Sequence, residues 1–262
     1  MRNLSRRQFT RLAAGGTLLS LLNACGLSQD LQPAPTVPVG ATPQASSPTP
    51  ARLILRNDNV PGFYVRYYKP FEAVDPERWT LAVEGLVQNP QSLSLSDLLA
   101  LPRVSQVSRM KCVECWSAAA KWEGFHLSSL LEIVNPHPDA KWVHFRCADG
   151  YYESLSIEEL LQERVILVHH MNGEILPDIY GAPLRLMVPS LYGYKSAKAL
   201  VRLEFAKEEL PGYWPAVGGY ATAGIIQRGR DHPLDVEGSR DIPGGGEIFY
   251  PDGIESQDQK GS

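Results

Sequence analysis

Residues 109–117 read RMKCVECWS, and the two cysteines in this stretch, Cys112 and Cys115, form a Cys-x-x-Cys pair. Such a pair is compatible with half of a zinc site or with a thiol–disulfide motif. A zinc site would need a second cysteine pair at a suitable spacing, and only Cys147 remains in the body of the chain. A thiol–disulfide motif would need a helix after the pair, and the Trp-Ser-Ala-Ala-Ala run that begins at Trp116 could form one. A third possibility is a single metal-binding thiolate, the softest ligand that a protein offers.

A second stretch, residues 181–198, reads GAPLRLMVPSLYGYKSAK. Together with the run around Cys112 and the Trp-Glu-Gly-Phe segment at 122–125, it resembles the molybdopterin domain of the sulfite oxidase superfamily. The closer resemblance is to the periplasmic branch of that superfamily, the catalytic subunit of the methionine sulfoxide reductase system. The resemblance covers most of residues 62–233. It implies a redox enzyme with a molybdenum–molybdopterin cofactor.

The resemblance also implies a set of site residues. The Cys112 thiolate would be the metal ligand and the catalytic residue. The pterin and its phosphate would contact Tyr64, Arg66, Cys147, Tyr180, Arg185, Gly193, Tyr194 and Lys195. These residue types suit the task, since a guanidinium binds phosphate in a bidentate manner and a tyrosine hydroxyl can donate to a pterin edge. A glycine lets backbone amides approach a ligand closely.

Cys115 stands where the resembling reductases have alanine. A cysteine at such a position is ordinarily a small buried hydrophobe. A disulfide to Cys112 is the alternative, and it would leave a non-catalytic lipoprotein rather than a metalloenzyme.

The reaction type depends on the charge expected around the metal. A sulfite site must hold a small dianion, so several arginines should converge on it. The sequence has no arginine between Cys112 and Arg146. This favours a less anionic substrate, so we expect oxygen-atom transfer that reduces a sulfoxide-type substrate. A sulfite-oxidising dehydrogenase is the alternative.

Hydrophobic patterning predicts an α+β domain dominated by mixed sheet, as the sulfite oxidase-type fold also requires. Alternating or apolar runs predict strands at 79–85, 142–147, 165–169, 184–188 and 201–205. Ser94 and Ser156 each precede an apolar run and predict the N-caps of two short helices. We expect a single domain over residues 52–240.

The N-terminal residues 1–24 are predicted to be a signal peptide. Residues 5–9 read SRRQF, a twin-arginine pattern, and the apolar run 12–22 is shorter than the roughly 20 residues that a membrane span needs. Residues 22–26 read LNACG, which resembles a lipobox cut before Cys25, the predicted lipidation site. A poor signal peptide with a chance cysteine is the alternative.

Residues 25–51 are predicted to be a disordered tether, because the prolines from Pro33 to Pro50 are separated by small and polar residues. Residues 241–262 are predicted to be a polar C-terminal tail, and we expect its turn-rich part, residues 244–262, to pack loosely.

The predicted partners follow from these features. We expect an extracytoplasmic protein (periplasm or cell surface) anchored in a lipid bilayer through Cys25. Its substrate would be a small or protein-bound oxidised sulfur compound. The sequence has no Cys-x-x-Cys-His haem motif, so electrons would come from a membrane haem protein or a quinone-linked subunit. A formal net charge of −4 argues against nucleic acid as a partner.

Overall fold

The structure of the protein is a computed structural model that describes residues 55–56, 63–65, 69 and 73–258. The predicted signal peptide, Cys25, the tether and the predicted cofactor contact Arg66 lie outside the described residues. Within the described part of the chain, no helix has both the length and the apolar character needed to cross a membrane.

The described residues form fourteen strands and five short α-helices. The strands are β1 (Leu55–Arg56), β2 (Phe63–Tyr64), β3 (Thr80–Gly85), β4 (Gln91–Ser94), β5 (Val104–Lys111), β6 (Trp116–Phe125), β7 (Trp142–Cys147), β8 (Tyr152–Ser156), β9 (Ile166–Met171), β10 (Glu174–Ile175), β11 (Arg185–Met187), β12 (Leu200–Ala206), β13 (Gly229–Pro233) and β14 (Arg240–Ile242). The helices are α1 (Leu95–Leu99), α2 (Leu127–Val134), α3 (Ile157–Leu160), α4 (Tyr213–Gly218) and α5 (Glu255–Asp258). Two 3₁₀ turns, Asp178–Tyr180 and Gly193–Lys195, flank β11.

The smaller of the two main sheets has the strand order β4-β3-β12-β7-β8. Strand β12 pairs in parallel with β3 and antiparallel with β7. In β7 the side chains of Val143, Phe145 and Cys147 are buried while those between them are partly exposed. This alternation is expected for a sheet with one face on the core.

The larger sheet has the strand order β10-β9-β6-β13-β14, with β5 also paired to β6 and β11 to β9. Strands β5 and β6 form a long antiparallel hairpin that runs from the pair Val104 and Gly124 to the pair Lys111 and Ser117. The connection at the end of this hairpin contains Cys112 and Cys115, so the sheet fixes where the two cysteines lie.

The predicted fold class, an α+β domain with mainly mixed sheet, is confirmed. All five predicted strands are present, and none of their ends is shifted by more than two residues. Both predicted caps are present, because the Ser94 side chain accepts from the Asp97 amide and Ser156 caps α3.

The structure contradicts a helix after the cysteine pair. Ala118, Ala119 and Ala120 are fully buried in the strand β6, although alanine favours helices in isolation. Strand β6 pairs with β5, β9 and β13 and has little exposed surface, so it accommodates small side chains. A thiol–disulfide motif that opens a helix is therefore not what this segment forms.

The expectation that the chain packs loosely from residue 244 onward is wrong for the described residues 244–258. Ile242, Ile248 and Tyr250 form a small core cluster with Ile226. Glu255 is also buried, because its carboxylate accepts from Arg109 in the strand β5. The sequence pattern did not predict this cluster, because its apolar residues are spaced among turn residues and follow neither helical nor strand periodicity.

Candidate active site

A cavity of about 290 Å³ opens beside the end of the β5–β6 hairpin. Its wall includes one thiol, two cations and two carboxylates: Cys112, Arg185, Lys198, Glu114 and Asp149. Half of the remaining wall residues are aromatic: Tyr64, Trp116, Tyr151, Tyr180, Tyr194, Trp214 and Tyr220. The two sequence stretches that carry the family resemblance therefore meet at one cavity.

The hairpin geometry presents Cys112 to this cavity. The Cys112 amide donates to the Trp116 carbonyl at 2.9 Å and closes the loop, while the Glu114 amide lies 3.5 Å from the Cys112 sulfur. Cys115 adopts the left-handed conformation with a φ of 67°, which turns the chain back into β6. Cys112 is partly exposed and Cys115 is exposed, and no disulfide joins the two sulfurs in the structure.

Glu114 brings a carboxylate next to the thiol. Its Oε2 atom is 3.9 Å from the Cys112 sulfur and accepts from the Trp116 indole at 3.4 Å. The same side chain lines the cavity. The arrangement places a group that can carry a proton beside the candidate metal ligand.

Arg185, at the start of β11, is 3 % exposed. Its guanidinium donates to the carbonyl of Tyr180 at 2.9 Å and to that of Ser196 at 3.4 Å, and it stacks over Trp122 at 5.1 Å. No carboxylate of the described residues lies within ion-pair distance of it. Burial lowers the pKa of Arg185 to about 10, which means that the charged form lacks solvation.

Lys198 adds a second cation to the wall, and the sequence analysis missed it. Burial and then the nearby Arg185 charge lower the pKa of Lys198 to about 8, against the opposite effects of Asp149 and Cys147. Gly181 makes room for it, because a Cβ there would lie 2.7 Å from the Lys198 Cβ. The signal available in the sequence was the second lysine of the Lys-Ser-Ala-Lys run.

Lys195, the first lysine of that run, lies elsewhere. It is buried, and its ammonium donates to Glu153 at 2.7 Å and to the carbonyls of Ser154 and Thr222 at 2.9 Å. It is not part of the cavity wall. Its contacts instead tie the Gly193–Lys195 turn to β8 and to the chain near Thr222.

Of the other predicted cofactor contacts, some line the cavity and some do not. Tyr64, Tyr180, Gly193 and Tyr194 all line the cavity. Cys147 is buried in the core at the end of β7 and is not part of the wall. Burial raises the pKa of its thiol, and a backbone hydrogen bond from Lys198 acts in the opposite direction. Arg66 lies outside the described residues.

This donor set fits molybdopterin. The buried cation Arg185 and the half-buried cation Lys198 face the cavity, and Arg185 has no carboxylate counter-ion among the described residues, as expected for a site that takes up a phosphate. In the part of the chain that the structure describes, no group of three or more His, Cys, Asp or Glu side chains could hold a metal ion. A metal at Cys112 would thus draw further ligands from a non-protein group, and the pterin dithiolene is one.

The comparison with family models gives the decisive observation. The model of the oxidoreductase molybdopterin-binding domain matches residues 68–214, which is more than half of the chain. The chain belongs to this family. The predicted superfamily is thereby confirmed, and so is its class, an oxidoreductase whose family membership implies a molybdenum–molybdopterin cofactor.

Curated relatives in this family carry sulfoxide reductase names. The chain is 39 % identical over 145 residues to a putative protein-methionine-sulfoxide reductase subunit, YedZ1, of Azospira oryzae, covering 55 % of each chain. It is 34 % identical to the catalytic subunit MsrP of Ralstonia nicotianae, covering 60 % of this chain and 53 % of the relative. It is 30 % identical to the catalytic subunit MsrP of Campylobacter jejuni, covering 80 % and 75 %. The chain thus spans about half the length of the first two relatives.

A solved structure supports the fold alone. The sulfane dehydrogenase SoxCD of Paracoccus pantotrophus superposes with a TM-score of 0.58 at 20 % sequence identity, covering 71 % of this chain and 50 % of that one. The similarity agrees with a sulfite oxidase-type fold and carries no information about the substrate.

Proposed function

We propose that this oxidoreductase transfers oxygen atoms outside the cytoplasm and reduces a sulfoxide-type substrate with electrons from a membrane partner. The observation that carries the proposal is the cavity whose wall holds the Cys112 thiol together with the buried cation Arg185 and the half-buried cation Lys198. A thiolate suits molybdenum and the cations suit the pterin phosphate. The names of the curated relatives support sulfoxide reduction.

The residues on the wall take specific roles in this proposal. Cys112 is the metal ligand, and Arg185 and Lys198 hold the phosphate. Tyr64, Tyr180, Gly193 and Tyr194 contact the pterin, with Arg66 as a further contact predicted from the sequence alone. Lys195 and Cys147 support the wall from behind, in keeping with their burial next to it.

The charge of the wall favours a neutral substrate over sulfite. Besides its two cations the wall carries Glu114 and Asp149, and most of its other residues are aromatic or apolar. Arg146, the first arginine after Cys112, is absent from the wall, and its guanidinium lies 3.8 Å from Glu204. A small dianion would meet carboxylates here, whereas a sulfoxide brings no charge to the site.

The reduction of a sulfoxide consumes two electrons and two protons and releases a thioether and water. When bound, the molybdenum cofactor supplies the two-electron oxygen-atom transfer. The carboxyl of Glu114 lies on the wall beside Cys112, so it is the group placed to hold and deliver a proton there. Trp116 orients that carboxyl through its indole N–H.

The cellular context of the proposal rests on the N-terminal sequence. The twin-arginine pattern and the lipobox support export and lipidation at Cys25, and the proline-rich segment 25–51 would act as the tether of a domain at 52–240. The electron donor would be a membrane haem protein or a quinone-linked subunit, and the substrate a free or protein-bound sulfoxide.

Metal analysis, an assay of sulfoxide reduction and an assay of sulfite oxidation test this function. Protein matured through the twin-arginine route should contain about one molybdenum for its one thiolate site. It should oxidise a reduced viologen dye with methionine sulfoxide as acceptor. Sulfite-dependent reduction of ferricyanide without sulfoxide reduction would instead support the sulfite-oxidising alternative. Protein without molybdenum and pterin would overturn the proposal.

A further inference from the structure

The end of the described chain, residues 229–258, lies behind the cysteine loop and is called the C-terminal segment below. Its strand β13 pairs in parallel with β6, in a register that places His232 beside Trp116. The His232 amide donates to the Cys115 carbonyl at 2.8 Å, just before β6 begins. One end of the Cys112–Cys115 loop is therefore held by a residue far away in the sequence.

Lys111 holds the other end of the loop. Its side chain is 3 % exposed, and its ammonium donates to the Cys112 carbonyl at 3.0 Å and lies 3.5 Å from the Trp116 carbonyl. The same ammonium lies 3.1 Å from Oδ1 of Asp231 in β13. The backbone carbonyl of Cys112, the candidate metal ligand, thus accepts a hydrogen bond from the buried Lys111 ammonium. The same ammonium forms an ion pair with Asp231.

Asp231 is itself fixed in place. Its other carboxylate oxygen, Oδ2, accepts from the Ser117 hydroxyl and from the Tyr250 hydroxyl, the latter at 2.8 Å. Its side chain is fully buried. The two hydrogen bonds to Oδ2 hold the carboxylate in one orientation, in which Oδ1 lies at ion-pair distance from the Lys111 ammonium without accepting a hydrogen bond.

A second buried ionic cluster, of one arginine and two carboxylates, binds the C-terminal segment to the same strand. Arg109 lies two residues before Lys111 in β5, so both side chains point to one face. The Arg109 guanidinium binds Asp235 in a bidentate manner at 2.6 and 2.7 Å, and it binds Glu255 at 2.9 Å. The side chains of Arg109 and Asp235 are fully buried and that of Glu255 is 1 % exposed.

We infer that Lys111 and Asp231 are positioning residues for the metal ligand, which act by fixing the backbone of Cys112 and hence the direction of its thiol. The inference rests on the proposed function in one respect, the role of Cys112 as ligand. The outer partners of metal ligands orient those ligands. Asp231, Asp235 and Glu255 lie beyond residues 68–214, the range that the family model matches. The C-terminal segment is thus a structural part of the active site.

Amide hydrogen exchange on the full chain, prepared with and without cofactor, tests this inference. Lys111→Met leaves the Asp231 carboxylate buried without its cation, so the charge-balanced variant Lys111→Met/Asp231→Asn is made as well. We expect exchange of the amides of residues 112–116 to accelerate by about tenfold or more, since a buried hydrogen bond to a charged group is lost. In the holoenzyme the Mo(V) EPR g values should change, and less molybdenum should be retained.

The matched control is Arg164→Met/Glu247→Gln. Arg164 binds Glu247 of the C-terminal segment at 2.7 Å and the Val107 carbonyl of β5 at 2.8 Å, so this pair joins the same two elements without contacting the cysteine loop. We expect normal exchange at residues 112–116 and an unchanged EPR signal in the control. Unchanged exchange in the Lys111 variants, or equal acceleration in the control, would overturn the inference. Wild-type protein without molybdenum would refute the proposed function only, because exchange in the cofactor-free chain still decides the positioning role.

Discussion

The ammonium of Lys195 donates to the Glu153 carboxylate at 2.7 Å in the interior of the protein. The pair joins the turn that carries Gly193 and Tyr194 to the strand β8, so it supports one wall of the cavity from behind. Burial raises the pKa of Glu153, and the Lys195 charge opposes that shift. The Lys195 cation thus favours the charged form of this carboxylate, together with a backbone hydrogen bond from Ser154.

Lys195→Met should consequently be strongly destabilising. Removing one partner of a buried pair leaves the other charge unpaired, so we expect the free energy of unfolding to fall by about 3–5 kcal/mol. Urea denaturation of the cofactor-free chain measures this loss. Arg202→Met is the control, because Arg202 pairs with Glu84 at 2.8 Å on the surface and should lose less than about 1 kcal/mol. Similar losses in both variants would contradict a structural role for Lys195.

The two cysteines of the loop should differ completely in their effect on the metal. Cys112→Ser should abolish bound molybdenum and the Mo(V) EPR signal and reduce sulfoxide reduction by more than about a hundredfold, more than the loss of an outer partner. Cys115→Ala should leave all three unchanged, since the Cys115 thiol is exposed and absent from the cavity wall. A molybdenum signal that persists in Cys112→Ser would refute the ligand assignment.

Lys198 should make the stability of the cofactor-free protein depend on pH. Its pKa is about 8 in the folded chain and 10.5 in its ordinary range, because burial disfavours the charged form. Between these values the unfolded chain binds the extra proton, so the free energy of unfolding rises with pH. Below pH 8 Lys198 is charged in both the folded and the unfolded chain. The folded chain then bears the full free-energy cost of burying that charge.

The measurement is urea denaturation of the cofactor-free wild type and Lys198→Met across this pH window. We expect the wild type to gain stability relative to Lys198→Met as the pH rises from 8 to 10.5. Bound molybdopterin should remove the difference, because its phosphate restores a high pKa to the lysine. A wild type that loses stability relative to the variant in this window would contradict the shift.

Gly181→Ala should disturb the part of the cavity wall around Lys198, where the pterin phosphate is proposed to bind. Gly181 has a φ of 107°, and an added Cβ would lie 2.7 Å from the Lys198 Cβ and 3.1 Å from the Ala199 amide nitrogen. Gly219 shares the left-handed conformation with a φ of 69°, but nothing lies within 4 Å of an added Cβ. Both alanine variants should lose about 1–2 kcal/mol through backbone strain. Only Gly181→Ala should also lose molybdopterin on purification, which pterin fluorescence measures.

The sequence predicted much of the site because its chemistry is carried by short runs. The run around Cys112 and the Gly-x-Pro-x-Arg run led to the cavity wall, where Cys112, Tyr180 and Arg185 meet. The sequence did not show which of the two lysines in the Lys-Ser-Ala-Lys run, Lys195 or Lys198, faces the cavity. The 3₁₀ turn at Gly193–Lys195 decides which one faces the cavity, and sequence periodicity gives no information about so short a turn.

The contacts behind the cysteine loop were beyond prediction from the sequence. Arg109 is 126 residues from Asp235 and 146 residues from Glu255, and no local pattern links residues so far apart. The alanine run in β6 was misleading for a related reason. Its helix propensity was overridden by the three strands that flank it.

The parallel pairing of β13 with β6 also has a consequence for the growing chain, because the cysteine loop needs residues that are synthesised much later. Asp231 leaves the ribosome 114 residues after Ser117, its partner across that pairing. The cysteine loop is therefore incomplete on a nascent chain that has already exposed both of its cysteines. We therefore expect stable cofactor loading to follow the synthesis of β13, with the thiols of Cys112 and Cys115 accessible until then.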